Sequence, residues 1–355
     1  MYRAPLSKCL NGELRCDEDR CLVDLNTVND INRRQVQWVA SNYTMFWGRK
    51  AKEGLTLRTG TWMPERMAMN MYPVILRPDV SKIPPTFDPR RDKPRWWVSD
   101  VSDQGWCGAS WAFSTVGVAQ DRLSIHRHLT GGLQLSPQQL LSCYRRGKNG
   151  CNGGQVESAW MFMKNIGGVE ESCVPYESGW TSTVPTCPHG NTLKSIRCQS
   201  GRVKQQEDFY GMEPSYRISG TEEDIQWEIL NNGPVQAIMD VHLDFFVYRQ
   251  GVYTHTVPDT HKGSPAIHSV RIIGWGVDRT RGQRPTKYWL VANSWGRDWG
   301  EDGFFRIRRG TNESQIESFI LAVHPQKEET EGGRRRYRRR RRKHHRIDKE
   351  HNNNI

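Results

Sequence analysis

Gln104-Gly105-Trp106-Cys107-Gly108-Ala109-Ser110-Trp111-Ala112-Phe113-Ser114 changes character halfway along. Its first half carries two glycines, which favour a loop. From Ser110 to Leu129 the apolar residues Trp111, Phe113, Val116, Ala119, Leu123 and Ile125 recur at a spacing that predicts a helix with one broad buried face. Ser110 therefore falls at or near a helix N-terminus, where unpaired backbone N–H groups favour negative charge. Further along, a second helix is predicted over Glu222–Asn231, ended by Gly233-Pro234. The pattern then switches to short β-prone runs at Val235–Val241, Gly251–Thr254, Ser269–Trp275, Tyr288–Asn293 and Gly303–Ile307. A helical half followed by a strand-rich half predicts an α+β fold with a cleft where the halves meet.

Around that centre the chain reads as four pieces. Residues 1–28 are polar and hold Cys9, Cys16 and Cys21, as in the remnant of a small cysteine-rich module. Residues 29–81 mix polar and aromatic side chains and end in connector sequence rich in Met and Pro. Residues 82–326 are the main domain. Residues 327–355 are charged, without apolar periodicity, and are expected to be disordered. The net charge of +12 is concentrated there: eleven Lys/Arg against Asp348 and Glu350 from Arg334 onward give +9 and leave about +3 for the rest.

Nine cysteines without paired zinc-finger spacing argue for disulfides in an oxidising compartment rather than a metal site. No metal and no cofactor is expected. Sequons at Asn42 and Asn312 fit a glycosylated surface. The first residues hold no apolar leader, and no run is long enough to span a membrane. A disulfide-rich chain without a leader implies that a further segment precedes Met1, and the odd cysteine count points the same way.

The central segment resembles the papain-family signature C-G-[SA]-C-[WY], with Ser110 where that family has its catalytic cysteine. The resemblance continues through Ile83-Pro84-Pro85-Thr86-Phe87-Asp88, Gly150-Cys151-Asn152-Gly153-Gly154, Asn232-Gly233-Pro234-Val235, His268 to Gly276, and Ala292-Asn293-Ser294-Trp295-Gly296. It is closest to the cathepsin-B type. It narrows to the tubulointerstitial nephritis antigen group, through Ser110, the upstream cysteines and the pro-like stretches Asn42–Gly48 and Leu57-Arg58-Thr59-Gly60-Thr61. The resemblance implies a papain-like two-subdomain fold, with a helical left half, a β-barrel-like right half and a cleft between them.

It also implies roles. His268 would be the histidine of the catalytic set, Asn293 its orienting partner, Trp295 the shield of that hydrogen bond, and Gln104 an oxyanion donor. Gly153 and Gly154 would form the substrate-binding strip. Phe319 would stand at the base of the S2 pocket in place of an acidic residue. Disulfides Cys107–Cys151, Cys143–Cys187 and Cys173–Cys198 follow from the same resemblance, the last two pairs being exchangeable. Between Cys173 and Cys187 there is no histidine, so the dipeptide-removing activity of cathepsin B has no basis here.

Serine in place of cysteine bears directly on activity. Papain-type chemistry uses a thiol whose pKa falls from ~8.5 to roughly 3.5–7.5 beside an imidazolium and a helix N-terminus. A serine hydroxyl cannot form that ion pair, and would need His268 as a neutral general base. The expected function is that of a secreted, inactive pseudoprotease binding extracellular matrix proteins or cell-surface receptors. The alternative is a serine-substituted peptidase with residual activity, and the alternative location is the lysosome. The run Arg334–Arg346 suits a heparin-like polyanion, with proteolytic processing or a merely solvated tail as other readings. A nucleic-acid role conflicts with the disulfides. The pro-like segment, which a chain with Ser110 cannot cut away, is expected to stay attached and to cover part of the cleft.

Overall fold

In the computed structural model the described residues are 21–327, apart from 35–36, 145–149, 190–192, 257–264 and 281–283. Of the first twenty, only the backbone at 9–10 and 13–14 is described. The chain divides between Pro325 and Gln326, and all elements named here precede that division.

Helices α1 (Leu25–Arg34) and α2 (Ala51–Leu57), followed by a single helical turn at Arg66–Met69, precede the main body. The helical half is built on α3 (Ser110–Arg127), with α4 (Pro137–Cys143) and α5 (Val156–Asn165) packed against it. Helix α3 differs from its one-faced expectation: every residue from Ser110 to Ser124 is buried. The reason is position, because α4 and α5 pack on it from one half and the long strand of the sheet from the other. Its polar residues are paired inside. Arg122 donates to Glu228 Oε1 at 2.9 Å and to the carbonyls of Pro234 and Val323, while Asp121 is salt-bridged to Arg271. His128 ends the helix in the left-handed conformation (φ 50°).

After α6 (Glu222–Asn232), capped by Thr221, the chain turns to strands. Eight strands form one sheet: β1 (Trp38–Ala40), β2 (Tyr216–Ile218), β3 (Val235–Val241), β4 (Tyr248–Tyr253), β5 (Ala266–Asp278), β6 (Thr286–Ala292), β7 (Phe304–Arg308) and β8 (Ile320–Ala322). Their order is β1-β4-β7-β6-β5-β3-β8-β2, antiparallel except for the β4–β7 pair. The five predicted strands are β3 to β7. The strand half is an open sheet rather than a closed barrel, because its edges β1 and β2 meet other partners. Val74 pairs with Ile218 along β2, which puts the pro-like segment on that edge.

The same segment supplies the opposite edge. β1 pairs antiparallel with β4, Trp38 opposite Gly251, with Trp38 and Ala40 buried and Val39 exposed. Trp38 and Phe46 enter the core of the strand half, where Phe46 meets Phe246 and Trp295 edge-on at 5.4 and 5.8 Å. Tyr43 ties the segment down by donating to the Tyr248 carbonyl at 2.7 Å. Trp47, next along, remains 37% exposed.

Candidate active site

Ser110 is the first residue of α3 and is fully buried. The loop before it is pinned from several sides. Gln104 N–H donates to Ser294 O, Trp106 N–H to Gly179 O and Gly108 N–H to Cys151 O, and the disulfide Cys107–Cys151 closes it. The other expected pairs, Cys143–Cys187 and Cys173–Cys198, are also formed. Cys21 is disulfide-bonded as well.

His268 stands near the start of β5, paired in register with Met239 of β3, and Asn293 directly follows β6. A bulge between Leu290 and Val291 sets the register that brings them together. Asn293 Oδ1 lies 2.7 Å from His268 Nε2 and also accepts from Ser294 N–H at 2.8 Å. The backbone N–H can only donate, so the amide orientation is fixed and His268 carries its proton on Nε2. Trp295 packs on the imidazole at 5.3 Å between ring centroids. His268 is pulled down to about 4, chiefly by burial and further by the positive charge of Arg58, with the Asn293 bond opposing. The ring is therefore neutral at pH 7. Its Nδ1 has no hydrogen-bond partner, so no bond joins it to Ser110.

Besides the Ser269 N–H, which donates to its Oγ at 3.4 Å, Ser110 meets the pro-like segment. Ser110 Oγ lies 2.8 Å from Thr61 Oγ1. Ser110 N–H donates to the Thr59 carbonyl at 3.2 Å, and Gln104 Nε2 donates to the same carbonyl at 3.0 Å. Two donors converging on one oxygen beside a nucleophile position have the geometry of an oxyanion site. Here the chain's own Thr59 fills it. Beyond it the segment pairs parallel with the glycine strip: Gly154 N–H donates to Gly60 O at 3.0 Å, and Trp62 N–H to Gly154 O at 2.8 Å. Gly60 makes the approach possible. At φ +101° a Cβ there would stand 2.1 Å from the Gly108 carbonyl carbon. At Gly153 a Cβ would meet Trp62 Nε1 at 2.4 Å.

Arg58 anchors the segment on the other side. Only 2% exposed, it donates to Asp103 Oδ1 at 2.9 Å and to Trp295 O at 3.2 Å, with Phe46 and Trp106 beside its guanidinium. Trp295 Nε1 donates in turn to the Arg58 carbonyl. Phe319 is buried, and the guanidinium of Arg217 lies 5.4 Å from its ring centroid. Arg217 also donates to the Met69 carbonyl at 2.7 Å, and Ala68 joins the buried cluster that contains Phe319.

Ser110, His268, Asn293, Gln104, Trp295, Gly153 and Gly154 thus meet in one cleft, while Phe319 sits in the wall against residues 68–69. Sequence reasoning missed Arg58, Thr59, Thr61 and Asp103 as cleft residues. The stretch Leu57–Thr61 was visible as pro-like, with a glycine among polar residues as its only local signal. Of the sequons, Asn42 is exposed. Asn312 uses its Nδ2 on Gln315 Oε1 and Ser318 Oγ, so a glycan there would break both bonds. Among the described residues no cluster of three or more His, Cys, Asp or Glu is arranged to hold a metal, and no helix is long and apolar enough to cross a membrane.

A helical half and an open sheet, with this set of side chains at their junction, define a papain-like fold. Residues 83–324 match the family described as papain family cysteine protease, and the chain belongs to that family. It is 41% identical over 333 residues to mouse (Mus musculus) tubulointerstitial nephritis antigen-like, covering 88% of this chain and 70% of that protein. Human (Homo sapiens) tubulointerstitial nephritis antigen-like is 39% identical over 330 residues, with the same coverage. Bovine (Bos taurus) tubulointerstitial nephritis antigen is 36% identical over 330 residues, covering 90% and 69%. Among solved structures, proCathepsin B S9 from Trypanosoma congolense superposes with a TM-score of 0.73 at 30% identity, covering 86% of this chain and 100% of that one. That shared part is larger than residues 83–324, so it takes in part of the segment before them. A procathepsin L2 from Tenebrio molitor gives a TM-score of 0.67 at 26% identity, covering 85% and 90%.

Proposed function

We propose that this chain is a secreted, catalytically silent papain-fold protein that acts by binding, its cleft closed by residues 57–62 of its own sequence. One observation carries the reading: the Thr59 carbonyl takes both Ser110 N–H and Gln104 Nε2, while the Ser110 hydroxyl is engaged by Thr61. A substrate carbonyl has no free donor pair to enter. Even with the segment displaced, a serine at this position lacks the thiolate chemistry that the family uses, and removing a nucleophile of this kind costs on the order of 10⁶ in rate.

The disulfides suit a secreted or lysosomal protein. Extracellular matrix proteins or cell-surface receptors are the proposed partners. A heparin-like polyanion is proposed for Arg334–Arg346, which lies outside the described residues. Asn42, exposed, is the proposed glycan site in preference to Asn312.

A second reading, residual serine-type hydrolysis, draws on the neutral His268 with a free Nδ1 lone pair. A serine-reactive phosphonate and a peptide-substrate panel decide between them. No labelling of Ser110 and no turnover is the expected result. Turnover that disappears in Ser110→Ala overturns the silent reading.

A further inference from the structure

Asn293 also borders a second cavity, of about 380 Å³, whose lining includes none of Ser110, His268, Gln104 or residues 57–62. Its volume lies in the range of small-molecule sites, about 300–1,000 Å³. The cleft is plugged; this cavity is not.

Its walls hold polar groups that the fold leaves unmatched. Asn293 is 5% exposed and spends its oxygen on His268 and Ser294, yet its Nδ2 donates to nothing. Glu171 accepts from Tyr176 N–H through Oε1 at 2.7 Å, while its buried Oε2 has no partner. A buried donor and a buried acceptor left open around one cavity are rare enough in folded proteins to need an explanation. Water satisfies such groups in many cavities, but a third feature is not a water site. Trp180, on the short helix Ser178–Thr181 between Cys173 and Cys187, lines the same cavity and is 76% exposed. A bare indole of this size is costly to leave in water, and its face attracts the weakly positive C–H edge of a ring.

The charge around the cavity selects further. Of the charged residues that line it, Asp100 is paired with Arg297, Asp103 with Arg58 and Arg271 with Asp121, which leaves the Glu171 carboxyl and no open cation. Sulfated or carboxylated ligands are therefore disfavoured. Burial pushes the Glu171 carboxyl up, which weakens its pull on a cation.

We propose that this cavity is a binding site for a neutral saccharide unit, with Trp180 as the stacking platform, Glu171 accepting a hydroxyl and Asn293 Nδ2 donating to one. A hexose ring offers an apolar C–H face together with donors and acceptors at its rim, which matches all three features. The segment between Cys173 and Cys187 thereby gains a binding role that borders the cleft at Asn293 and Asp103 and does not use the basic tail.

The test uses the full chain and the methyl glycosides of glucose, galactose, mannose and N-acetylglucosamine, read by tryptophan fluorescence and saturation-transfer NMR. At least one glycoside should bind saturably with Kd on the order of 1 mM. Trp180→Ala should weaken it about tenfold or more, a factor equal to ~1.4 kcal/mol. Glu171→Gln, a smaller change, should weaken it less. Trp180 is exposed, so the melting temperature should be unchanged, and heparin retention should be unaffected. Absence of binding by every glycoside, or binding indifferent to Trp180→Ala, overturns the proposal. So does saturable binding of arginine methyl ester in place of the glycosides, which would make the cavity a cation site.

Discussion

Residues 38–62 and residues 63–81 are consecutive parts of one pro-like segment, and the fold treats them in opposite ways. In the first, Trp38, Phe46, Arg58, Thr59 and Thr61 are all buried, and the chain contributes a strand to the sheet and a plug to the cleft. In the second, Met67 is 84% exposed and Tyr72 96%, with Met63, Ile75 and Val80 exposed beside them. A removable pro-segment and a permanent structural element differ in where their stability comes from. The first part has entered the core. The second is a connector held at separate points: Glu65 N–H on Glu157, Ala68 in the buried cluster, Val74 on the sheet edge, and Arg217 on the carbonyls of Met69 and Met71.

The largest effect expected from this contrast is in the core rings. Phe46→Ala or Trp38→Ala should each cost about 3–5 kcal/mol, as for large aromatic truncations in a close-packed interior. Tyr72→Ala should cost under about 0.5 kcal/mol, as an exposed substitution does. Denaturant melts of the three variants check it. Equal losses at Phe46 and Tyr72 would break the distinction.

Next comes the plug. Gly60→Ala places a Cβ against the Gly108 backbone at an unfavourable φ, and the contact is with main chain that cannot rotate away. A loss of about 1–3 kcal/mol is expected, the scale of local backbone strain. The more telling readout is access. In Ser110→Cys the new thiol is shielded by Thr59–Thr61, so a small alkylating reagent should react at least ~10-fold faster when Gly60→Ala is added, a factor worth about 1.4 kcal/mol of opening. Equal rates would mean that the segment does not guard Ser110.

Much of the cleft was legible in sequence. A helix beginning at Ser110 follows from apolar spacing, and the positions of His268, Asn293 and Gln104 follow from ordered motifs around them. The disulfides came from the same resemblance. The contribution of residues 38–62 was only partly visible. β1, β2 and β8 are three residues long, too short for a period-two pattern, and each owes its conformation to a strand far away in sequence. Arg58 breaks the rule that charges stay outside, and only the presence of Asp103 and the Trp295 carbonyl explains its burial. Thr59 acts through its backbone, which leaves no trace in side-chain chemistry.

The next effect is one of pH, and it joins the plug to the site beneath it. Burial lowers His268, His126, His189 and His324 in the fold, and Arg58 adds to the shift at His268. A histidine held neutral in the fold takes up a proton on unfolding once the pH drops below its ordinary value near 6.5. Stability is thus fully present above that value and is lost as the pH falls from about 6.5 toward 4. His268 alone should account for about 1 kcal/mol between pH 6.5 and 5.5. Glu157 and Glu171, raised by burial, act in the opposite sense, but nearer to pH 5 where carboxyls begin to titrate. A melting temperature that falls from pH 7 to 5.5, with a shallower fall in His268→Gln, is expected. A flat profile would remove this argument for a neutral, extracellular working pH over an acidic compartment.

The smallest expected effect is the sharpest test of the two-part segment. Trypsin can cut after Arg66 and Lys82, both exposed, whereas Arg58 is buried between Asp103 and the aromatic rings. Among the described residues no disulfide joins positions 21–62 to the main domain, since the three pairs there are internal to it. After a cut, only non-covalent forces hold the first part: the β1–β4 ladder, the Tyr43 and Arg58 hydrogen bonds, and the buried rings at about 2 kcal/mol each. These together exceed what the connector's exposed contacts contribute. The cut protein should therefore keep the native elution of the intact chain as one particle, while its melting temperature falls and becomes dependent on protein concentration, because unfolding now releases a fragment. It should separate into two chains only in denaturant. Once separated it should not recover its original melt on dilution, because folding joined to association then depends on concentration. Spontaneous release of the fragment ending at Arg66, leaving a main domain with an unchanged melt, would show that residues 38–62 are a bound inhibitor rather than part of the fold.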